Sequence, residues 1–122
     1  VQFNGTEIND ESCFTTGASA KFTVPTGGAG LYWFHTHFRY ESGSTFTVGS
    51  FLYHTPSGGS ETSIASTYSN TTYYTGFDIT FLKVLAVGDQ LQMKVSQGSG
   101  SDQTIGNSDA GPTVRFMGYR IG

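Results

Sequence analysis

Apolar and polar residues alternate along most of the chain, and a period of two predicts β-strands rather than helices. The clearest alternation covers residues 31–40. One side of this predicted strand is aromatic and should face the core, with Tyr32, Phe34, Phe38 and Tyr40. The opposite side mixes apolar and polar residues: Leu31, Trp33, His35, His37 and Arg39. That mixture is unusual for a surface that meets only water.

Six further segments predict strands, at residues 21–24, 45–53, 62–68, 72–81, 90–95 and 113–121. The segment 45–53 alternates Phe46, Val48 and Phe51 with smaller residues. A bend is expected at Gly76 within the segment 72–81. Turns are predicted at 26–30, 56–60 and 87–89, where glycine supplies conformations that other residues avoid. A long polar loop is expected at 98–112. No segment predicts a helix.

About eight to ten short strands separated by turns predict an all-β fold, a two-sheet antiparallel jelly-roll sandwich. The 122 residues suffice for one domain, residues 1–122, and for burial of roughly two thirds of the surface. The expected core is Phe22, Tyr32, Phe34, Phe38, Leu91, Met93, Val95 and Phe116. Because such a core is modest, association should add stability.

Charged residues make up only 12% of the chain and aromatic residues 15%. Aromatic and β-branched residues at this level argue against disorder. The expected surface is neutral, rich in hydroxyl groups and aromatic, which suits extracellular or virion proteins. A net charge of -3 without basic clusters argues against a nucleic-acid partner, and no apolar run is long enough for membrane insertion. The single cysteine, Cys13, excludes an intramolecular disulfide and is expected to be buried.

Four ordered segments resemble the C1q/tumour-necrosis-factor-like superfamily. They are Val1-x-Phe3-Asn4, then Phe22-Thr23-Val24-Pro25 followed by Gly30-x-Tyr32-x-Phe34, then Val84-x-x-Val87-Gly88-Asp89-x-Leu91, and finally Phe116-x-Gly118-Tyr119. Residues 41–81 match no family motif, and no collagen-like Gly-X-Y repeat is present. The charge-poor, Ser/Thr/Gly-rich composition is similar to phage and other viral members, which form fibre tips or head-fibre knobs.

The resemblance implies a ten-strand jelly roll that forms a homotrimer. It also implies that Leu31, Trp33, His35 and His37 line the trimer axis or interface, which would explain their mixed character. The strand-like C-terminal sequence predicts the C-terminal domain of a longer protein. The implied function is a virion-surface or extracellular knob that binds a host-surface glycan or protein receptor. The alternatives are a secreted C1q-like recognition domain of a cellular organism and a purely structural trimerisation domain.

No cofactor is required, but two metal sites are candidates. His35 and His37 point to one side of a strand, so three chains could offer six imidazoles to a transition metal on the axis. The alternative is packing or hydrogen bonding without metal. Asp102, Asn107 and Asp109 carry oxygen ligands suited to calcium, but their spacing fits no EF-hand loop, and a solvated loop is the favoured alternative.

Ligand contact is expected at Tyr68, Tyr73 and Tyr74, which lie in a Ser/Thr/Asn-rich stretch suited to stacking on sugars. Ordinary packing in the core or trimer is the alternative. Asn4 and Asn70 begin glycosylation triplets. No nucleophile elbow, zinc-protease helix, P-loop or dinucleotide fingerprint occurs, and nothing in the sequence brings Glu41 and Glu61 together as a glycosidase pair. The chain is therefore not expected to be an enzyme.

Overall fold

The computed structural model describes residues 13, 15, 20–39, 45–70, 76–100 and 114–122. These residues form strands but no helix. The strands are β1 (Phe22–Thr23), β2 (Gly30–Arg39), β3 (Thr47–Thr55), β4 (Thr62–Asn70), β5 (Gly76–Leu85), β6 (Gln90–Gln97) and β7 (Val114–Arg120). No helix in the described ranges could therefore cross a membrane.

The strands pair into two antiparallel sheets. One has four strands in the order β1-β6-β3-β4, and the other has three in the order β5-β2-β7. The chain crosses from sheet to sheet between most successive strands, an arrangement compatible with a jelly roll. The predicted all-β, two-sheet sandwich is therefore confirmed.

Strand β2 is central to the three-stranded sheet, and its alternation is as predicted. Tyr32, Phe34 and Phe38 are buried, and Thr36 completes the same buried row. The opposite side, from Leu31 to Arg39, is partly exposed at every second position. Tyr40 lies outside the described residues.

The core consists of two apolar clusters between the sheets. The first contains Phe22, Val24, Tyr32, Phe34, Leu52, Leu85 and Leu91. The second contains Phe38, Val48, Phe77 and Met93. The predicted core residues Val95 and Phe116 are only half-buried, and Phe116 packs against both clusters. Cys13, expected to be buried, is also half-buried and packs against the first cluster.

Two sequence predictions need correction. In β3 the buried row is Val48, Ser50, Leu52 and His54. Phe51 is therefore on the opposite side from Val48, because it lies three positions further along the strand and successive side chains point to opposite faces. Strand β5 continues four residues past its predicted end, while residues 72–75 of the predicted strand lie outside the described residues. Residues 81–85 at the end of β5 place apolar side chains on both faces of the strand. The alternation of apolar and polar residues that predicts a strand is therefore not visible there.

Candidate binding surfaces

The outward side of the three-stranded sheet is an apolar face. Trp33 on β2 lies opposite Leu82 on β5 and Tyr119 on β7, and Leu31 lies opposite Val84. Val84 is 73% exposed and Tyr119 is 58% exposed, with the ring of Tyr119 5.2 Å from that of Trp33. We call the set the apolar face: Leu31, Trp33, Leu82, Val84, Met117 and Tyr119.

Contiguous exposed apolar side chains are one feature of surfaces that bind a partner. The predicted interface residues Leu31 and Trp33 are on the central strand of this face, with large apolar neighbours on both sides. The sequence did not indicate the neighbours from β5, because Leu82 and Val84 lie beyond the predicted end of that strand. Pairing with β2 brings them there.

Polar residues form one end of the same sheet face. The oxygen Oδ1 of Asp78 accepts hydrogen bonds from Nε2 of His35 at 3.0 Å and from Nδ1 of His37 at 2.8 Å. Burial alone would raise the pKa of Asp78. The hydrogen bonds from His37 and His35, with their charge interactions, outweigh that effect and hold the pKa below its ordinary value.

Asp78 changes the interpretation of the two predicted metal ligands. One nitrogen of each histidine is directed at the same carboxylate oxygen rather than at an open site. Within the described ranges, no group of three or more His, Cys, Asp or Glu side chains could hold a metal ion. An axial metal would need sister chains, so the metal role of His35 and His37 stays a prediction.

The outward side of the four-stranded sheet is different, since its aromatic side chains lie among polar residues. The rings of Phe51 and Tyr68 meet edge to face with centroids 5.2 Å apart, and Tyr68 is 62% exposed. Gly49 lies beneath them. A Cβ there would come within 2.8 Å of Phe51 Cε2 and 2.9 Å of Tyr68 Cε1, so glycine allows the rings to converge.

Polar groups surround these rings. The residues opposite Phe51 and Tyr53 on the flanking strands are Lys94, Ser66, Gln92 and Ser63. Lys94 reaches across β3 to an ion pair with Glu61, and its Nζ lies 4.4 Å from the centre of the Tyr53 ring. We call this surface the aromatic face: Phe51, Tyr53, Glu61, Tyr68, Gln92 and Lys94.

An open cleft of about 210 Å³ adjoins the aromatic face at one end. Its lining offers an ammonium, a hydroxyl, a carboxylate and two amides, from Lys21, Thr55, Glu61, Gln90 and Gln92, together with Leu91. The cleft therefore has both donors and acceptors of hydrogen bonds along its wall.

Asp89 and His54 form a polar pair that is buried inside the sandwich. Asp89 Oδ2 accepts hydrogen bonds from His54 Nε2 at 3.0 Å and from the backbone N–H of Ala86 at 3.1 Å, while Oδ1 accepts one from the backbone N–H of Ser57 at 2.9 Å. Burial raises the pKa of Asp89, but these hydrogen bonds outweigh it and lower the pKa overall. The carboxylate thereby joins the turn after β3 to the turn before β6.

Of the predicted ligand-contact residues, Tyr68 is on the aromatic face, while Tyr73 and Tyr74 lie outside the described residues. Asp102, Asn107, Asp109 and Asn4 lie outside them too, so the calcium and first glycosylation predictions stay open. Asn70 ends β4 and accepts a hydrogen bond from the Thr47 hydroxyl at 3.1 Å.

Comparison with known proteins adds no family assignment. Neither a scan against protein-family models nor a search of curated proteins finds a match to this chain.

Proposed function

We propose that this chain is a homotrimeric knob of the C1q/tumour-necrosis-factor-like jelly-roll type, displayed on a virion surface to bind a host-surface glycan or protein receptor. The observation that carries the proposal is the apolar face. An antiparallel sheet that meets water on one side has polar residues there. This sheet instead presents Trp33 between Leu82 and Tyr119.

Burial of such a face is favourable at roughly 25 cal/mol for each Å² of apolar surface removed from water. Sister chains are the proposed cover, because the resemblance to trimeric jelly rolls puts the outward side of β2 against the threefold axis. The polar end is compatible with burial as well. Asp78 already satisfies one nitrogen of His35 and one of His37, so fewer unpaired polar groups would enter the interface.

A trimer would favour adhesion to a repetitive surface. Three copies on one rigid scaffold engage a repetitive surface together, which raises avidity without any new contact. The aromatic face is on the other sheet, so in this arrangement it stays available to a ligand. The surface location and the absence of catalysis are parts of the proposal.

Mass measurement tests the assembly. Native mass spectrometry should find a species of three times 13.1 kDa, about 39 kDa. Tyr119→Lys should shift the population to monomers by placing a charge in the interface. Tyr68→Lys is the matched control, because Tyr68 has nearly the same exposure on the opposite sheet and should leave the trimer intact. A wild-type monomer at micromolar concentration overturns the proposal. A trimer that binds no glycan and no host surface supports a purely structural domain instead.

A further inference from the structure

We propose that the aromatic face and its cleft bind an oligosaccharide chain, with Tyr68 as the stacking ring and Gln92 as a hydrogen-bonding group. This inference rests on the adhesion part of the proposed function and assigns its ligand class and site. No residue of the apolar face takes part.

The two outward faces of the sandwich differ in the chemistry that they offer. The apolar face surrounds Trp33 and Tyr119 with Leu31, Leu82, Val84 and Met117, and suits another protein surface. The aromatic face pairs rings with hydroxyl, amide and charged groups, and the residues opposite Phe51 and Tyr53 are all polar. A sugar ring presents C–H groups on one side and hydroxyl groups around its rim. It therefore needs an aromatic surface beside hydrogen-bonding groups, as found here.

The cleft supplies those hydrogen-bonding groups. The amides of Gln90 and Gln92 each donate and accept, the carboxylate of Glu61 accepts, and the ammonium of Lys21 donates. This mixture matches sugar hydroxyls, which both donate and accept. It suits an aliphatic ligand poorly, because an aliphatic group would leave these polar groups without partners.

The ion pair between Lys94 and Glu61 orders one wall of the cleft before a ligand arrives. The ammonium of Lys94 is fixed by the carboxylate and by the Tyr53 ring, 4.4 Å below it. A carboxylate held in this way loses less conformational entropy on binding than a free side chain does.

The distance between the cleft and Tyr68 indicates the ligand's length. At one end, the cleft includes Thr55 of β3. At the other end, Tyr68 of β4 lies opposite Gly49, which is also on β3. Six residues of strand at roughly 3.3 Å each span about 20 Å. A single sugar cannot reach both ends, so the ligand is a chain of several sugar units that follows β3.

The experiment uses the full 122-residue chain on a microarray of neutral, uronate-containing and sialylated oligosaccharides. Calorimetry with the free oligosaccharide of the strongest signal follows. Tyr68→Ala and Gln92→Ala should each weaken that affinity at least about tenfold, and Tyr68→Phe should retain most of it because the ring remains. Circular dichroism of each variant checks that the fold is unchanged.

Tyr119→Ala is the matched control. It removes an equally exposed tyrosine from the apolar face, so the affinity of each site for the free oligosaccharide should stay the same. Absence of binding to every array glycan by a wild-type trimer overturns this inference and leaves the trimer standing. Binding that survives Tyr68→Ala and Gln92→Ala also overturns it. A monomer that binds through Tyr68 supports it, and overturns the trimer instead.

Discussion

Gly118 on β7 lies opposite Phe34 on β2, and the Phe34 ring occupies the space that a side chain at position 118 would need. A Cβ on Gly118 would lie 2.5 Å from Phe34 Cε1 and 2.8 Å from the carbonyl oxygen of Trp33. Gly118→Ala should therefore force the ring or the strand to move. We expect a loss of about 1–3 kcal/mol in the free energy of unfolding, measured by urea titration at fixed protein concentration.

Gly76→Ala provides the control for this prediction, because Gly76 is on β5, the other neighbour of β2. There the nearest atom to an added Cβ is His37 Cε1 at 3.4 Å, an ordinary contact. Its effect on the free energy of unfolding should stay within about 0.5 kcal/mol. Equal losses for the two variants would contradict the assignment of the Gly118 effect to Phe34.

The buried Asp89 carboxylate should contribute strongly to stability. Asp89→Asn replaces one accepting oxygen with an NH₂ group, which then faces donors from Ser57, Ala86 or His54. The free energy of unfolding should fall by about 1–3 kcal/mol, the range for a buried donor left unsatisfied. Glu61→Gln is the control: the Glu61 side chain is 36% exposed and lies on the aromatic face, away from the proposed trimer interface. Water can replace its lost ion pair with Lys94, so an effect below about 0.5 kcal/mol is expected.

The acid sensitivity of the fold should depend on the same carboxylate. The pKa of Asp89 is lower in the folded chain than in the unfolded one. Its stabilising contribution is therefore complete above the unfolded pKa, about 3.9, and is lost as the pH falls through the lower folded pKa. Urea titrations between about pH 3 and 7 should show the wild type losing stability below about pH 4, whereas Asp89→Asn should lose less over that interval. Parallel curves for the two proteins would contradict this role.

The local sequence pattern was sufficient to predict the buried residues where one side of a strand is uniformly apolar. The alternation of β2 gave the buried positions Tyr32, Phe34 and Phe38 because every second residue there must enter the core. It was insufficient for β5, since Leu82 and Val84 are apolar and exposed. Exposed apolar residues look the same in a sequence as core residues, so the pattern of a single chain does not separate the two.

Contacts distant in sequence were also beyond local pattern. Asp78 is 41 residues from His37, and only the pairing of β2 with β5 puts them opposite one another. The same holds for His54 and Asp89, 35 residues apart. The Gly88-Asp89 turn was predicted from the conformational freedom of glycine, and Gly88 does have a φ of 84°. The carboxylate's burial was not predicted, because it depends on the turn after β3.

Two hydroxyl groups interrupt the apolar interior between its two clusters. Thr36 lies between Phe34 and Phe38 on β2, and Ser50 lies between Val48 and Leu52 on β3. Among the described residues, neither hydroxyl has a hydrogen-bond partner. A buried polar group without a partner is destabilising, so its removal without a change of shape should stabilise the fold.

Thr36→Val keeps the shape of the side chain and removes the hydroxyl. We expect the free energy of unfolding to rise by about 1 kcal/mol, measured by urea titration, with Ser50→Ala giving a smaller gain because it also leaves a small void. Thr62→Val is the control, since Thr62 is exposed on β4, in the sheet that does not carry the apolar face, and should change stability by less than about 0.5 kcal/mol. A loss of stability in Thr36→Val would mean that the hydroxyl is satisfied in solution by a partner such as a buried water. In that case the hydroxyl groups of Thr36 and Ser50 would form a hydrated polar site between the two apolar clusters rather than a defect in apolar packing.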